Sequence, residues 1–175
     1  MTDNEFTERL AAMRETMYRV SYSQLSQGCD RDDAVQETLL KAWDRRRKLK
    51  DERFMQTWII HILINECHNI QRKGKRVDLM YELPERVAPA EANEELHDAL
   101  FHLDEKLRLP IVLHYIEGFR TNEIAEILSV PQGTVTWRIS KARKELNKML
   151  GGRIGGRDDK LISCEEDDKP CLKMI

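Results

Sequence analysis

The sequence predicts an all-α protein built as two small helical domains joined by a flexible linker, and three observations carry that reading. Apolar residues recur at spacings of three and four in both halves of the chain, which is the period of an amphipathic helix. No stretch of useful length alternates apolar and polar residues as a half-buried strand does. From Arg76 to Asn93 the periodicity stops, and Pro84 and Pro89 stand among acids and alanines, the composition of a linker. A length of 175 residues suits two such domains. Each is modestly stable, because a small domain buries a smaller share of its surface.

In the first half, Phe6, Leu10, Met13, Met17 and Val20 predict one helix over 6–27, ended by Gly28. Asp30 then reads as an N-cap, with Asp33 in the first turn where the helix dipole favours a carboxylate. That helix runs to about Arg47, with Val35, Leu39, Ala42 and Trp43 on its buried side. A polar stretch, 48–53, separates it from a third helix, roughly Phe54 to Lys73, with Trp58, Ile62 and Cys67 facing inward and Gly74 closing it. Three helices with short connections make a bundle, here the domain 1–76. After the linker, 77–93, a second domain spans 94–150. Leu96, Leu100 and Leu103 mark one helix. Pro110 suits the first turn of the next, where its missing N–H costs nothing, with Ile111, Leu113 and Ile116 to bury. Residues 151–175, with glycine pairs, an acid run and Pro170, predict a disordered tail.

The net charge of −2 argues by itself against a nucleic-acid binder, but the distribution reverses that impression. Arg72, Lys73, Lys75 and Arg76 form one basic knot, and Arg138, Lys141, Arg143, Lys144 and Lys148 form another. The stretches 78–105 and 158–168 are acidic. Such segregation of sign suggests local polyanion contacts, although a solvated helix face explains many single charge runs. The apolar run Trp58–Ile64 is too short to span a bilayer, and the first residues carry no secretion signal, so a cytoplasmic location is expected. The four cysteines, Cys29, Cys67, Cys164 and Cys171, show no C-x-x-C pair and no regular spacing to histidines. Neither a disulfide framework nor a metal site is expected from them. Cys164 and Cys171 also admit a redox-sensitive pairing beside the plainer reading of a flexible extension. No glycine-rich nucleotide loop or nucleophile–base spacing is present, so neither a cofactor nor an enzyme is expected.

Residues 121–149 spell a helix-turn-helix. Gly118 terminates one helix and Thr121 caps the next, 122–128, in which Ile124, Ala125 and Leu128 pack inward. Ser129-Val130-Pro131 makes the turn. The following helix places Val135, Ile139, Ala142, Leu146 and Met149 in one stripe, with Thr134, Trp137, Arg138, Lys141 and Lys148 on the opposite face. A helix apolar on one side and basic on the other can enter a major groove with its first turns nearest the base edges. The same geometry also packs bundles that bind no DNA.

Three motifs then resemble a known family. Glu126-Ile127-Leu128-Ser129-Val130-Pro131-Gln132-Gly133-Thr134-Val135, with Arg138 and Lys141-Ala142-Arg143, resembles the domain-4 signature of extracytoplasmic-function (ECF) sigma factors of the sigma-70 superfamily. Upstream, Asp32-Asp33-Ala34-Val35-Gln36-Glu37-Thr38-Leu39-Leu40-Lys41-Ala42-Trp43 resembles the domain-2 segment that grips RNA polymerase. Thr57-Trp58-Ile59-Ile60-His61-Ile62, Asn65 and Arg72 resemble the segment that reads and opens the promoter. The resemblance covers about residues 5–150.

It implies that Asp33, Gln36, Glu37 and Leu40 meet the clamp helices of the polymerase β′ subunit, with Trp43 left to the core. It implies minus-ten contacts through the loop residues Lys48, Lys50, Arg53 and Phe54, the base-capturing Asn65, and the backbone-holding Arg72, Lys73 and Arg76. In the second domain it implies minus-thirty-five contacts through Gln132, Gly133, Thr134, Trp137, Arg138 and Lys141, and a meeting with the β flap tip through an apolar groove over 111–115. Trp137 stands where the family usually has a small residue, which leaves the base preference there open. An anti-sigma partner, in many cases membrane-anchored, is also implied. The competing reading is a stand-alone helix-turn-helix transcriptional regulator, which leaves the Gln36–Glu37 helix and the Trp58–Asn65 helix unexplained.

Overall fold

The computed structural model describes residues 2–74 and 94–151. Arg76, the expected linker 77–93 and the expected tail past Gly151, with Cys164 and Cys171, lie outside the described residues. The described residues form helices joined by turns, with no strand among them, and they divide between two compact units.

The N-terminal unit contains α1 (Asp3–Ala12), α2 (Arg14–Tyr22), α3 (Gly28–Arg45) and α4 (Met55–Gly74). Two 3-10 turns, Arg46–Lys48 and Glu52–Phe54, lie in the α3–α4 connection. A capping box starts α1: the Thr2 hydroxyl accepts the Glu5 N–H, and the Glu5 carboxylate accepts the Thr2 N–H at 2.7 Å. That backbone bond holds the Glu5 carboxyl below its usual range.

The single helix expected over 6–27 is instead two helices that meet at Met13, whose N–H reaches the Leu10 carbonyl three residues back at 3.2 Å. The tight turn redirects the chain while Phe6, Leu10, Met13, Met17 and Val20 all stay buried. Tertiary packing, rather than a glycine or proline, thus sets the bend.

Helix α3 begins at Gly28, so Asp30 sits in its first turn and is not the cap. The cause is Arg31, which is buried and stacks over the Tyr22 ring at 4.7 Å. It donates to the Leu25 and Ser26 carbonyls and ties the preceding loop down. Ala34, Val35, Thr38 and Ala42 form the buried stripe of α3, with Leu39 half-buried. Trp43, expected in the core, lies on the rim at 38% exposure. Phe6 covers one side of it (centroids 6.2 Å apart), and the Arg46 guanidinium lies 4.0 Å from its ring centroid.

Helix α4 buries Ile59, Ile60, Ile62, Leu63, Ile64 and Cys67, and Trp58 is half-buried. Lys41 Nζ meets the largely covered Glu66 carboxylate at 2.6 Å and fastens α3 to α4. This bond raises the Lys41 pKa above its ordinary value.

The C-terminal half of the chain contains α5 (Glu94–His102), α6 (Glu105–Tyr115), α7 (Thr121–Leu128) and α8 (Gln132–Met149). Ala99, Leu103, Leu107, Ile111, Val112, Ala142 and Leu146 share one core. Asp104 caps α6 by accepting the Lys106 N–H at 2.8 Å, so Pro110 stands as the sixth residue of the helix and not in its first turn. An interior proline forfeits one helical bond and costs about 3 kcal/mol. Burial of the apolar side chains around it, Leu107, Leu109, Ile111, Val112 and Leu113, offsets that cost. Ile116, expected to bury, is exposed.

The chain reverses after α6 through Gly118 at φ 74°, a left-handed conformation that glycine adopts without penalty. Phe119 then returns to the core. Thr121 is the first residue of α7 rather than its cap. The Glu123 carboxylate accepts the Arg120 N–H at 2.7 Å and closes that end. The buried pair on α7 is Ile124 and Ile127, while Ala125 and Leu128 are half-buried, one position off the expected stripe. On α8 the stripe is Val135, Ile139, Ala142 and Leu146, and it stops before Met149, which is exposed.

Candidate nucleic-acid and partner interfaces

Helix α4 presents a polar row opposite its apolar face. His61, Asn65, His68 and Arg72 follow one another at spacings of four, three and four, which places them on one side of a helix with 3.6 residues per turn. Asn65 and His68 are exposed and His61 is half-buried. The Asn65 amide nitrogen lies 3.4 Å from His61 Nε2. Arg72 reaches back to the His68 carbonyl and the Asn69 amide oxygen, which aligns its guanidinium along the helix. Lys73 is exposed beside it. Neither histidine is among the expected contact residues, although His61 stands inside the motif that resembles the promoter-reading segment. Their common spacing with Asn65 and Arg72 is the signal that identifies them.

The loop before α4 leads directly to the start of that row. Lys48, Lys50 and Arg53 are exposed, and the Phe54 ring is 47% exposed, an unusual placement for a large apolar side chain. The loop is shaped from within. Asp51 accepts the Arg53 N–H at 3.0 Å and takes the Arg53 guanidinium at 2.7 Å. This pairing draws the Asp51 carboxyl below its usual range and raises the Arg53 pKa. An aromatic ring flanked by cations and followed by an amide-bearing helix face is chemistry suited to an unstacked base: a stacking surface, phosphate partners and an amide for the base edge.

On α3, Asp33, Gln36, Glu37 and Leu40 are all exposed, with Leu40 the most open apolar side chain there at 61%. Trp43 lies one turn further along, so the face reads as an apolar centre with an acidic edge. Glu37 is 3.6 Å from Lys41, which is itself committed to Glu66, and this holds the edge in register. Such a rim of charge around exposed leucine and tryptophan matches the anatomy of protein interfaces.

On α8, Trp137 and Lys141 are exposed and Thr134 and Arg138 beside them half-buried, with the exposed Gln132 and Gly133 at the N-terminal end. Trp137 is 59% exposed, and Lys141 Nζ lies 5.2 Å from its ring centroid and 3.9 Å from Glu145. The Gln132 amide donates to the Thr121 hydroxyl at 2.9 Å and ties the start of α8 to the start of α7. A Cβ on Gly133 would meet nothing within 4 Å, so the fold itself does not require glycine there. The turn between α7 and α8 passes through Ser129 at φ 53°, a left-handed conformation uncommon for a residue other than glycine.

The apolar groove expected over 111–115 is absent. Ile111, Val112 and Leu113 are core residues, and only Tyr115 of that segment is exposed, beside Ile116. Three successive positions of α6 are thus buried, which periodicity alone does not reveal. Among the described residues no group of three or more His, Cys, Asp or Glu side chains is arranged to hold a metal ion. No helix among them is long and apolar enough to cross a membrane.

Residues 10–77 match the sigma-70 region 2 family, and residues 93–146 match the sigma-70 region 4 family. The ECF RNA polymerase sigma-E factor of Salmonella typhimurium is 31% identical over 141 residues, covering 69% of this chain and 74% of that protein. SigW of Bacillus subtilis is 28% identical over 165 residues, covering 83% and 88%. With SigM of Mycobacterium tuberculosis the chain shares 28% over 127 residues, 70% of this chain and 65% of that one. Among solved structures, the sigma factor RpoE of Bartonella quintana, crystallised with the anti-sigma factor NepR, superposes with a TM-score of 0.76 at 26% identity. It covers 84% of this chain and 97% of its own. With region 2 on the N-terminal helices and region 4 on the helix-turn-helix, and with relatives aligned across the length of both, the chain belongs to the extracytoplasmic-function RNA polymerase sigma factors.

Proposed function

We propose that this protein binds the RNA polymerase core and directs it to its promoters. Residues 1–76 form the core-binding and minus-ten domain, 77–93 the linker and 94–150 the minus-thirty-five domain. Asp33, Gln36, Glu37 and Leu40 meet the β′ clamp helices, with Trp43 extending that face. Phe54 and Asn65 capture extruded minus-ten bases, while Lys48, Lys50, Arg53, Arg72, Lys73 and Arg76 hold the backbone. Gln132, Gly133, Thr134, Trp137, Arg138 and Lys141 contact the minus-thirty-five element. Contact with the β flap tip falls to Tyr115 and Ile116. The single observation that carries this reading is that α3, α4 and α8 each expose a face of the chemistry their region requires, in the chain order of regions 2 and 4.

The protein supplies specificity and no bond-making chemistry of its own; RNA synthesis belongs to the polymerase. It acts where the polymerase acts, in the cytoplasm. The likeness to RpoE, whose structure holds the anti-sigma factor NepR, supports an anti-sigma partner here.

The test is transcription by core polymerase from a promoter library randomised at both elements. Transcripts enriched for one pair of elements only when the protein is present support the reading. Leu40→Glu is expected to weaken core binding more than about tenfold, the effect of losing a central apolar anchor. Tight duplex binding without core, together with no binding to core, would instead indicate a stand-alone regulator. In the same system, Lys141→Ala is expected to weaken binding to all sequences about equally. It should reduce the log–log salt slope by about 1, whereas Arg138→Ala costs about 1–3 kcal/mol at one base pair. Titrating affinity against salt on a matched and a singly substituted element separates the two.

A further inference from the structure

We propose that α1 is the positioning element for the minus-ten loop, holding it at both ends so that base discrimination depends on Asp3 and Arg9. This inference rests on the reading of that loop as the base-capturing one. Arg46, at the exit of α3, meets Asp3 through two bonds of 2.9 and 3.1 Å, and it also lies flat on Trp43. Six residues along α1, Arg9 stands 3.7 Å from Glu52 in the second turn of the loop. The two contacts are spaced by about 9 Å of helix and bracket the segment that carries Lys48 and Lys50, with Phe54 two residues beyond it.

Neither of the loop's 3-10 turns buries a residue, and Leu49 between them is half-buried, so packing holds the loop only in part. The Asp51–Arg53 pair fixes its internal shape, but not its position against the bundle. Helix α1, by contrast, is seated by Phe6 and Leu10, both buried, and Phe6 lies against Trp43. Its apolar stripe fixes α1 to the bundle, and its charges carry that fixity to the loop. The Arg46 guanidinium also holds the Asp3 carboxyl below its usual range. The brace is therefore intact at neutral pH and is lost only as pH falls through that lowered value.

The experiment uses holoenzyme assembled from core polymerase and the full chain. Permanganate reactivity of melted thymines is measured on a preferred promoter and on one with a single substituted minus-ten base. The readout is the ratio between the two templates. Asp3→Asn is expected to lower that ratio about three- to fivefold, the scale of one exposed ion pair. Arg9→Gln should lower it in the same direction, and Asp3→Glu should restore most of it. Glu8→Gln removes an acid from the same helix away from the loop and should leave the ratio unchanged. A merely structural role would reduce opening on both templates alike. That outcome, or no change with Asp3→Asn while Phe54→Ala abolishes discrimination, overturns the inference and leaves the loop assignment intact. If Phe54→Ala and Asn65→Ala themselves keep wild-type discrimination, the loop assignment fails and the inference fails with it.

Discussion

The Phe54→Ala Asn65→Ala double variant is expected to open promoters at roughly a hundredth of the wild-type level or below, since stacking and amide pairing are each worth about 1–3 kcal/mol per captured base. Unstacking a base costs a few kcal/mol, and without a ring to receive it and an amide to pair with its edge nothing offsets that cost. Both side chains face solvent. Their removal leaves no cavity, so thermal stability and core binding should stay at wild-type values. Permanganate footprinting and core-binding titrations on the same preparations distinguish the two effects. Loss of opening with core affinity retained supports the assignment of these residues to base capture. A variant that opens the promoter normally would place base capture elsewhere on α4, with His61 and His68 the next residues to test because they share its polar row.

Leu113→Ala is expected to have the largest effect on stability. Leu113 is fully buried in α6, three residues after the interior Pro110. Deleting its branched side chain costs about 2–5 kcal/mol through lost burial and the remaining cavity. Folded domains hold only about 5–15 kcal/mol in total, and small ones sit near the lower end. The C-terminal unit should therefore melt on the order of 10 °C lower or more, and minus-thirty-five binding should fall with it. Met149→Ala, by contrast, trims a side chain that is 46% exposed at the end of the α8 stripe, so it should change stability by no more than about 0.5 kcal/mol. Circular dichroism melts of the full-length variants compare the two. Equal shifts would mean that the α8 stripe extends through Met149 after all.

Much of this protein was legible before any coordinates. Helix periodicity is a local property, set by which side chains recur every three or four residues, so the helices of both halves were readable from Phe6 to Val20, from Val35 to Ala42 and from Val135 to Leu146. Glycine and proline chemistry is equally local, which is why Gly118 and the Ser129–Pro131 turn were found in place. The exposed face at Asp33–Leu40 followed from the same periodicity, as the complement of the apolar stripe, and so did the exposure of Trp137 and Lys141 on α8.

What escaped the sequence depends on residues far apart along the chain and close together in space. The rim position of Trp43 is decided by Phe6 and Arg46, and the single helix expected over 6–27 bends at Met13 because its two halves seal one core. Pro110 sits inside α6 among side chains that pack into the core, and the burial of 111–113 also removes the expected groove. The Lys41–Glu66 fastening joins residues on separate helices, and the Asp3–Arg46 brace joins the start of α1 to the exit of α3. Periodicity specifies which face of a helix turns inward. Only the packed arrangement specifies which neighbour that face meets, because burial and ion pairing depend on distance through space and not on distance along the chain.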